Sequence, residues 1–134
     1  KPGGRLVFHE YVHDETYQSI PHSAHLEQFV QHVMISWREF GGEPNVARTL
    51  PGHLAAAGCR LLETRPISFS AQPHQPVWQW PASFIDINLQ RMLELGQVDA
   101  AWADTLRAEF AALQRNPNAV LITPMVLEII AEKL

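Results

Sequence analysis

The sequence predicts an α/β fold, and three observations carry that prediction. Apolar strand-like segments alternate with amphipathic helices along the chain, as in layered α/β architectures. Residues 6–8 form an apolar run directly after a turn at 2–4, which favours a strand covered on both faces of a parallel sheet. No internal repeat or flexible linker interrupts the sequence, so we expect a single unit over 1–134.

The apolar pattern divides the chain into three strands and five helices. Glycines follow three of the predicted helices, at Gly41, Gly58 and Gly96, which is typical of helix ends. Pro51 belongs in a first turn, which favours a start of the second helix near Thr49. The predicted strands are 5–11, 59–70 and 119–123. The predicted helices are 23–40, 45–57, 80 or 83 to 95, 99–115 and 125–134, with loops at 13–23 and 71–81.

Charge and cysteine content predict which partners this chain can bind and in which cellular compartment it lies. The formal net charge is −4 and no Lys/Arg cluster occurs, so we expect neither nucleic acid nor an anionic membrane surface as a partner. The single cysteine predicts a reducing compartment. Neither a long apolar run nor a leader-like segment is present, which together with the cysteine predicts a cytoplasmic protein.

Seven histidines raise the question of a metal site. His9 and His13 are four residues apart, but they straddle a predicted strand end, where that spacing does not bring two side chains together. No carboxylate completes a known metal motif. We therefore expect no metal and interpret the histidines as solvated or capping residues. A metal-dependent enzyme remains a hypothesis beside the two main ones given below, and metal analysis of the purified protein tests it.

Nucleophiles and phosphate-binding loops are not evident. Cys59 lies between a helix-ending glycine and an apolar strand, which favours a buried structural thiol. No Gly-x-Ser-x-Gly turn, P-loop or Gly-x-Gly-x-x-Gly occurs.

Two regions are candidates for a small-molecule site. Trp78 and Trp80 lie in a proline-rich loop, where they either line a ligand pocket or cover a helix end. The first strand ends at Glu10 and Tyr11, and a polar stretch leads on to Tyr17. Ligands of open parallel sheets bind beyond the carboxyl ends of the strands, whereas the alternative is a solvated loop.

Segments along the chain also match the motifs of a known family. Residues 1–8, KPGGRLVF, match an L-K-P-G-G-x-L turn into a fifth strand. Residues 41–51 and 54–59 match the following helix and its L-x-x-A-G-F step into a sixth strand, with a cysteine in place of the aromatic. Residues 122–133, ITPMVLEIIAEK, are similar to a last strand and tail. The chain thus resembles class I S-adenosylmethionine-dependent methyltransferases of the small-molecule branch, which includes the ubiquinone/menaquinone type.

The resemblance implies the C-terminal half of such a domain, with about three strands of a Rossmann-like sheet and several covering helices. The family binds S-adenosylmethionine mainly through a Gly-rich loop and an acidic residue of the other half. No Asp/Glu-x-Gly-x-Gly occurs in this sequence. The resemblance therefore implies S-adenosylmethionine for the complete enzyme but assigns no cofactor-binding residue here.

The resemblance also implies which residues face the methyl acceptor. A base beside the acceptor could remove a proton from its oxygen or nitrogen. Arg48 could contact an anionic acceptor or could be an ordinary surface residue. The resemblance thus gives Glu10 and His13 as catalytic candidates and Tyr11, Tyr17 and Arg48 as substrate-binding candidates. Trp78 of the proline-rich loop is a further substrate-binding candidate, independent of the resemblance.

Two hypotheses of function follow. The first is the substrate-side part of a methyltransferase acting on a small molecule, inactive as an isolated chain. The alternative is a non-catalytic binding or assembly module that forms a homodimer through an exposed edge or face of its half-sheet.

Overall fold

A computed structural model describes residues 1–13 and 16–134, except for the side chain of residue 13. In this part the chain is mixed α/β. Short 3₁₀ turns at Val46–Arg48 and Pro76–Trp78 precede the second and third helices. The elements are β1 (Arg5–His13), β2 (Gln18–Ile20), α1 (Ala24–Glu39), α2 (Leu50–Ala56), β3 (Cys59–Ile67), β4 (Ser70–Ala71), α3 (Gln79–Glu94), α4 (Ala100–Arg115), β5 (Val120–Ile122) and β6 (Met125–Lys133).

The longer strands form one three-stranded sheet, which we call the long sheet. β6 lies between β1 and β3 and is antiparallel to both, so β1 and β3 run parallel to each other. β2, β5 and β4 form a second, short antiparallel sheet. The predicted parallel sheet covered on both faces is wrong, because all pairings between described strands are antiparallel. Val7 in the middle of β1 is 61% exposed.

The predicted closing helix at 125–134 is wrong, because this segment is strand β6. Its apolar residues recur at a spacing that also suits a helix, with Val126 and Ile129 buried. β6 hydrogen-bonds to a strand on each side over most of its length, and these tertiary partners outweigh the local pattern. The segment that the resemblance equates with a last strand is therefore a strand.

Helices α1 and α4 confirm the predicted bounds to within one residue. Each begins at a side-chain cap: Ser23 Oγ accepts a hydrogen bond from the Leu26 amide at 3.0 Å, and Asp99 Oδ1 accepts one from the Trp102 amide at 2.8 Å. α2 is shorter than the predicted 45–57, since the helix begins at Leu50, after the 3₁₀ turn. The predicted start near Thr49 is confirmed.

Buried side chains form two clusters of unequal size. The larger one, the helical cluster, lies between α1, α3, α4 and the short sheet. The smaller one, the sheet cluster, joins Leu54 of α2 to Ile129 and Ala131 of β6, with Phe8 and Leu50 packed against them. The buried members of the helical cluster are Tyr17, Leu26, Phe29, Val30, Val33, Met34, Ala71, Trp78, Ala82, Ile85, Leu89, Met92, Ala103, Leu106, Phe110, Leu113, Ala119 and Leu121.

Within residues 1–13 and 16–134, none of the helices combines the length and the apolar character that crossing a bilayer requires.

Candidate functional site

Two clefts lie towards the carboxyl end of β1, and Glu10 and Tyr11 of this strand line both of them. The helix-side cleft has a volume of about 610 Å³ and the sheet-side cleft about 450 Å³. The helix-side cleft is lined by Glu10, Tyr11, Trp37, Phe40, Gly42, Glu43, Pro44, Ile87, Asn88 and Arg91. The sheet-side cleft is lined by His9, Glu10, Tyr11, Ile67, Phe69, Trp80 and Val126.

A close turn after α1 shapes the helix-side cleft. Gly41 has a φ of 82°, which bends the chain away from the helix axis. The Gly42 amide donates to the Trp37 carbonyl at 2.9 Å, and a Cβ on Gly42 would lie only 3.1 Å from that oxygen. The glycine pair therefore lets the loop that carries Glu43 and Pro44 pack tightly against the end of α1.

Aromatic rings connect this cleft to the helical cluster. The rings of Tyr11 and Trp37 have centroids 6.3 Å apart and are tilted by 32°. Trp37 makes an edge contact with Phe84 of α3 at 6.1 Å. Because Phe84 packs on the helical cluster, the wall formed by Trp37 is supported from behind.

The charged side chains of the helix-side cleft differ in whether other residues of the protein contact them. Glu43 Oε1 accepts from the Asn45 amide at 2.9 Å and lies 3.5 Å from Arg38 Nη2. The Arg91 guanidinium lies over the Phe40 ring, 5.4 Å from its centroid. Glu10 is half-buried, and no described residue makes a hydrogen bond or ion pair with its carboxylate.

A second polar group lies on the long sheet beside the sheet-side cleft. The Glu128 carboxylate is 2.6 Å from His9 Nε2 and 2.9 Å from Arg65 Nη2. The hydrogen bond from His9, followed by the charge of Arg65, holds the pKa of Glu128 below its ordinary value. This carboxylate therefore stays ionised at neutral pH.

Tyr17 lies in the helical cluster and lines neither cleft. Its hydroxyl donates to the Pro81 carbonyl at 3.2 Å, and its ring makes an edge contact with Phe84. Burial raises the pKa of the Tyr17 hydroxyl far above its ordinary value. In this arrangement the side chain ties the segment before β2 to the start of α3.

The two tryptophans of the proline-rich loop have different positions. Trp78 is 1% exposed and stacks on Phe110 at 5.8 Å, so it covers the start of α3. Trp80 lines the sheet-side cleft and contacts Phe69 at 6.5 Å. Both alternatives for the loop therefore occur, but the residue beside a cleft is Trp80.

Arg48 lies next to β1 without lining either cleft. It is exposed, and its Nε donates to the Val12 carbonyl at 3.1 Å, which fastens the first 3₁₀ turn to the end of the strand. The side chain of His13 lies outside the described residues. Of the predicted site residues, the structure thus brings Glu10 and Tyr11 together at the clefts.

Trp37, Phe40 and Arg91 line the helix-side cleft, and the sequence analysis did not identify them as site residues. Trp37 packs partly on the helical cluster. The exposure of Phe40 and Ile87, which is typical of binding surfaces, is visible only in the folded chain, so no signal in the sequence identified these residues.

Four glycines of the described residues have a positive φ. Gly3 lies in the turn before β1, whereas Gly41, Gly58 and Gly96 each follow a helix rather than opening one after a strand. No group of three or more His, Cys, Asp or Glu that could hold a metal exists in the described part of the chain.

Comparison with known proteins gives no match: no family model, no curated protein and no solved structure is similar to this chain.

Proposed function

We propose that this chain is the C-terminal, acceptor-side part of a cytoplasmic S-adenosylmethionine-dependent methyltransferase acting on a small molecule, with a Rossmann-like sheet in the complete domain. One observation supports this most. The three segments that resemble the family's fifth, sixth and last strands are distant in sequence, yet they form the three strands of the long sheet. Independent chance matches would not need to be neighbours in one sheet.

The clefts at the end of β1 support an acceptor site in the region that the resemblance implies. Bringing the acceptor into line with the methyl donor is the main requirement of such a transfer. Tyr11 and Trp37 provide a wall that can orient a flat molecule. Glu10 would take the proton from an acceptor oxygen or nitrogen. S-adenosylmethionine, the source of the methyl group, would be held by the part of the domain that carries the Gly-rich loop.

Calorimetry tests whether S-adenosylmethionine is bound by the part of the domain with the Gly-rich loop rather than by this chain. We expect no measurable binding to this chain, and micromolar binding once the chain is extended by its natural upstream coding sequence. The extended protein should also transfer a tritiated methyl group to a small molecule. Tight binding by the chain alone would contradict the proposal, as would an upstream sequence without a Gly-rich strand–turn–helix.

Substitution of the two base candidates tests the chemistry in the extended protein. Loss of a general base lowers turnover about 10²-fold or more. We expect such a loss for Glu10→Gln or for His13→Ala. Glu63→Gln on β3 is the matched control, since it removes an exposed carboxylate of the same sheet away from both clefts. Wild-type kinetics in both test variants would exclude the proposed base.

A second candidate function is that of an assembly module, and the exposed β1 edge favours it. Among the described strands, β1 pairs with a neighbour on one side only, and Val7 within β1 is exposed. The other edge strand, β3, carries Pro66 and a bulge between Leu61 and Glu63, which discourage strand pairing. A stable dimer in light scattering, lost on Val7→Lys, would support this function, and a monomer at all concentrations would exclude it.

A further inference from the structure

We infer that the helix-side cleft selects a cationic ligand, an arylalkyl amine in its ammonium form, over neutral and anionic molecules of the same shape. The inference rests on Glu10, a half-buried residue whose carboxylate has no partner among the described residues. It lines a cleft together with three aromatic residues, Tyr11, Trp37 and Phe40. Carboxylates and aromatic faces both attract organic cations.

The other charged side chains of the cleft already have contacts within the protein, so Glu10 is the charged group that remains for a ligand. Arg38 neutralises Glu43, which also accepts a backbone hydrogen bond. Arg91, the cation of the lining, is already placed against Phe40. An anionic ligand that met Arg91 in this cleft would also lie near the Glu10 carboxylate.

Glu10 and Tyr11 line the helix-side cleft from opposite faces of the edge strand β1. Successive side chains of a strand alternate between its faces, so Glu10 lies on the same face as Phe8 and Tyr11 lies on the other. Phe8 packs on the sheet cluster, on the side where α2 and the first 3₁₀ turn cover β1. The loop with Glu43 and Pro44 leads into that turn and forms the opposite wall of the cleft.

The Arg91–Phe40 contact is an intramolecular example of the same recognition. A planar cation lies at 5.4 Å from a ring of the cleft wall, within the usual range for cation–π attraction. Tyr11 and Trp37, whose rings contact each other, line the same cleft as Glu10. The volume of about 610 Å³ accommodates a molecule larger than one aromatic ring with a short side chain.

The consequence for the acceptor depends on the proposed function. If the chain is the acceptor side of a methyltransferase, its acceptor atom is an amine nitrogen. An ammonium group must lose a proton before its nitrogen can accept a methyl group, and Glu10 is positioned to take that proton.

Three probes of nearly equal shape test the selectivity on this chain: 2-phenylethylammonium, 2-phenylethanol and 3-phenylpropanoate. Calorimetry at low ionic strength should give the ammonium ion an affinity about tenfold above that of the alcohol, as one desolvated cation–π and carboxylate contact provides. The carboxylate probe should bind most weakly. Equal affinities, no binding of the ammonium ion, or a preference for 3-phenylpropanoate would overturn the inference.

Two substitutions identify the group responsible. Glu10→Gln should remove the preference of ammonium over alcohol, whereas Glu63→Gln should preserve it. Arg91→Gln removes a like charge and frees Phe40, so the affinity for the ammonium ion should rise severalfold. A preference that survives Glu10→Gln refutes the assignment. Should this variant fail to fold by circular dichroism, the wild-type series and Arg91→Gln still decide the question.

The outcomes separate this inference from the proposed function. Ammonium binding by this chain, with no S-adenosylmethionine binding by the extended protein, supports the cation site and refutes the methyltransferase. Cofactor binding and methyl transfer without the ammonium preference support the methyltransferase and refute the cation site.

Discussion

The helical cluster and the sheet cluster differ in how much apolar surface they bury. Three helices and the short sheet enclose large side chains such as Phe29 and Trp78 with almost no exposure. The long sheet buries Ile129 and Ala131 under α2, while β3 is exposed along most of its length. Apolar burial is the main source of stability, so the helical region should dominate the stability of the chain.

The difference also bears on the location of the site. The helix-side cleft lies along the border of the two regions, with Trp37 packed on the helical cluster and Glu10 on the more exposed long sheet. An aromatic wall supported by the helices thus lies beside a strand that has further surface to bury. Such a border suits a site in which one wall orients a ligand and the other belongs to a larger sheet.

Among the tests of this comparison, truncation of a buried leucine should change the unfolding free energy most. Leu106 of α4 is fully buried in the helical cluster, and Leu→Ala at such a position costs about 2–5 kcal/mol. Urea denaturation of Leu106→Ala should show this loss of unfolding free energy. Leu62→Ala is the matched control, since Leu62 of β3 is 42% exposed and should cost less than about 1 kcal/mol. Equal losses would mean that the sheet contributes as much as the helices.

Removal of the α1 cap should have an intermediate effect. Ser23 Oγ accepts from the Leu26 amide and donates to Glu109 Oε2 of α4 at 2.6 Å, so it joins two helices of the cluster. Ser23→Ala should cost about 1 kcal/mol in thermal or urea unfolding. Ser83→Ala, which removes an exposed hydroxyl inside α3, should leave the stability almost unchanged. A cost equal to that of the control would show that the cap is not used in solution.

The pH dependence of the long sheet should be the smallest effect. The folded state holds the pKa of Glu128 below its ordinary value of 4.5, through the His9 hydrogen bond and then the Arg65 charge. Its stabilisation is therefore present above pH 4.5 and is lost as the pH falls through the lowered pKa. The difference in unfolding free energy between wild type and Glu128→Gln should shrink on acidification. Parallel pH profiles for wild type and Glu128→Gln would contradict the assignment.

Local signals explain which elements could be predicted. β1, α1 and α4 follow from capping residues, glycine stops and the period of their apolar residues, all within a few positions of each other. β6 does not, because its pattern fits both a helix and a strand and its partners lie more than fifty residues away. Glu10 and Tyr11 could be predicted as site candidates because a strand end is a local feature. Arg91 could not, because its approach to Phe40 depends on how α3 packs against α1.

The sequence by itself determined the α/β class, the positions of most elements and the strand end at which the clefts lie, because caps, turns and apolar periods act over short distances. Only the tertiary structure decided that β6 is a strand between β1 and β3, that Trp78 is core while Trp80 and Trp37 line clefts, and that Glu10 keeps a carboxylate without a described partner. These outcomes depend on contacts between segments far apart in the chain, and no local pattern encodes which surfaces will meet.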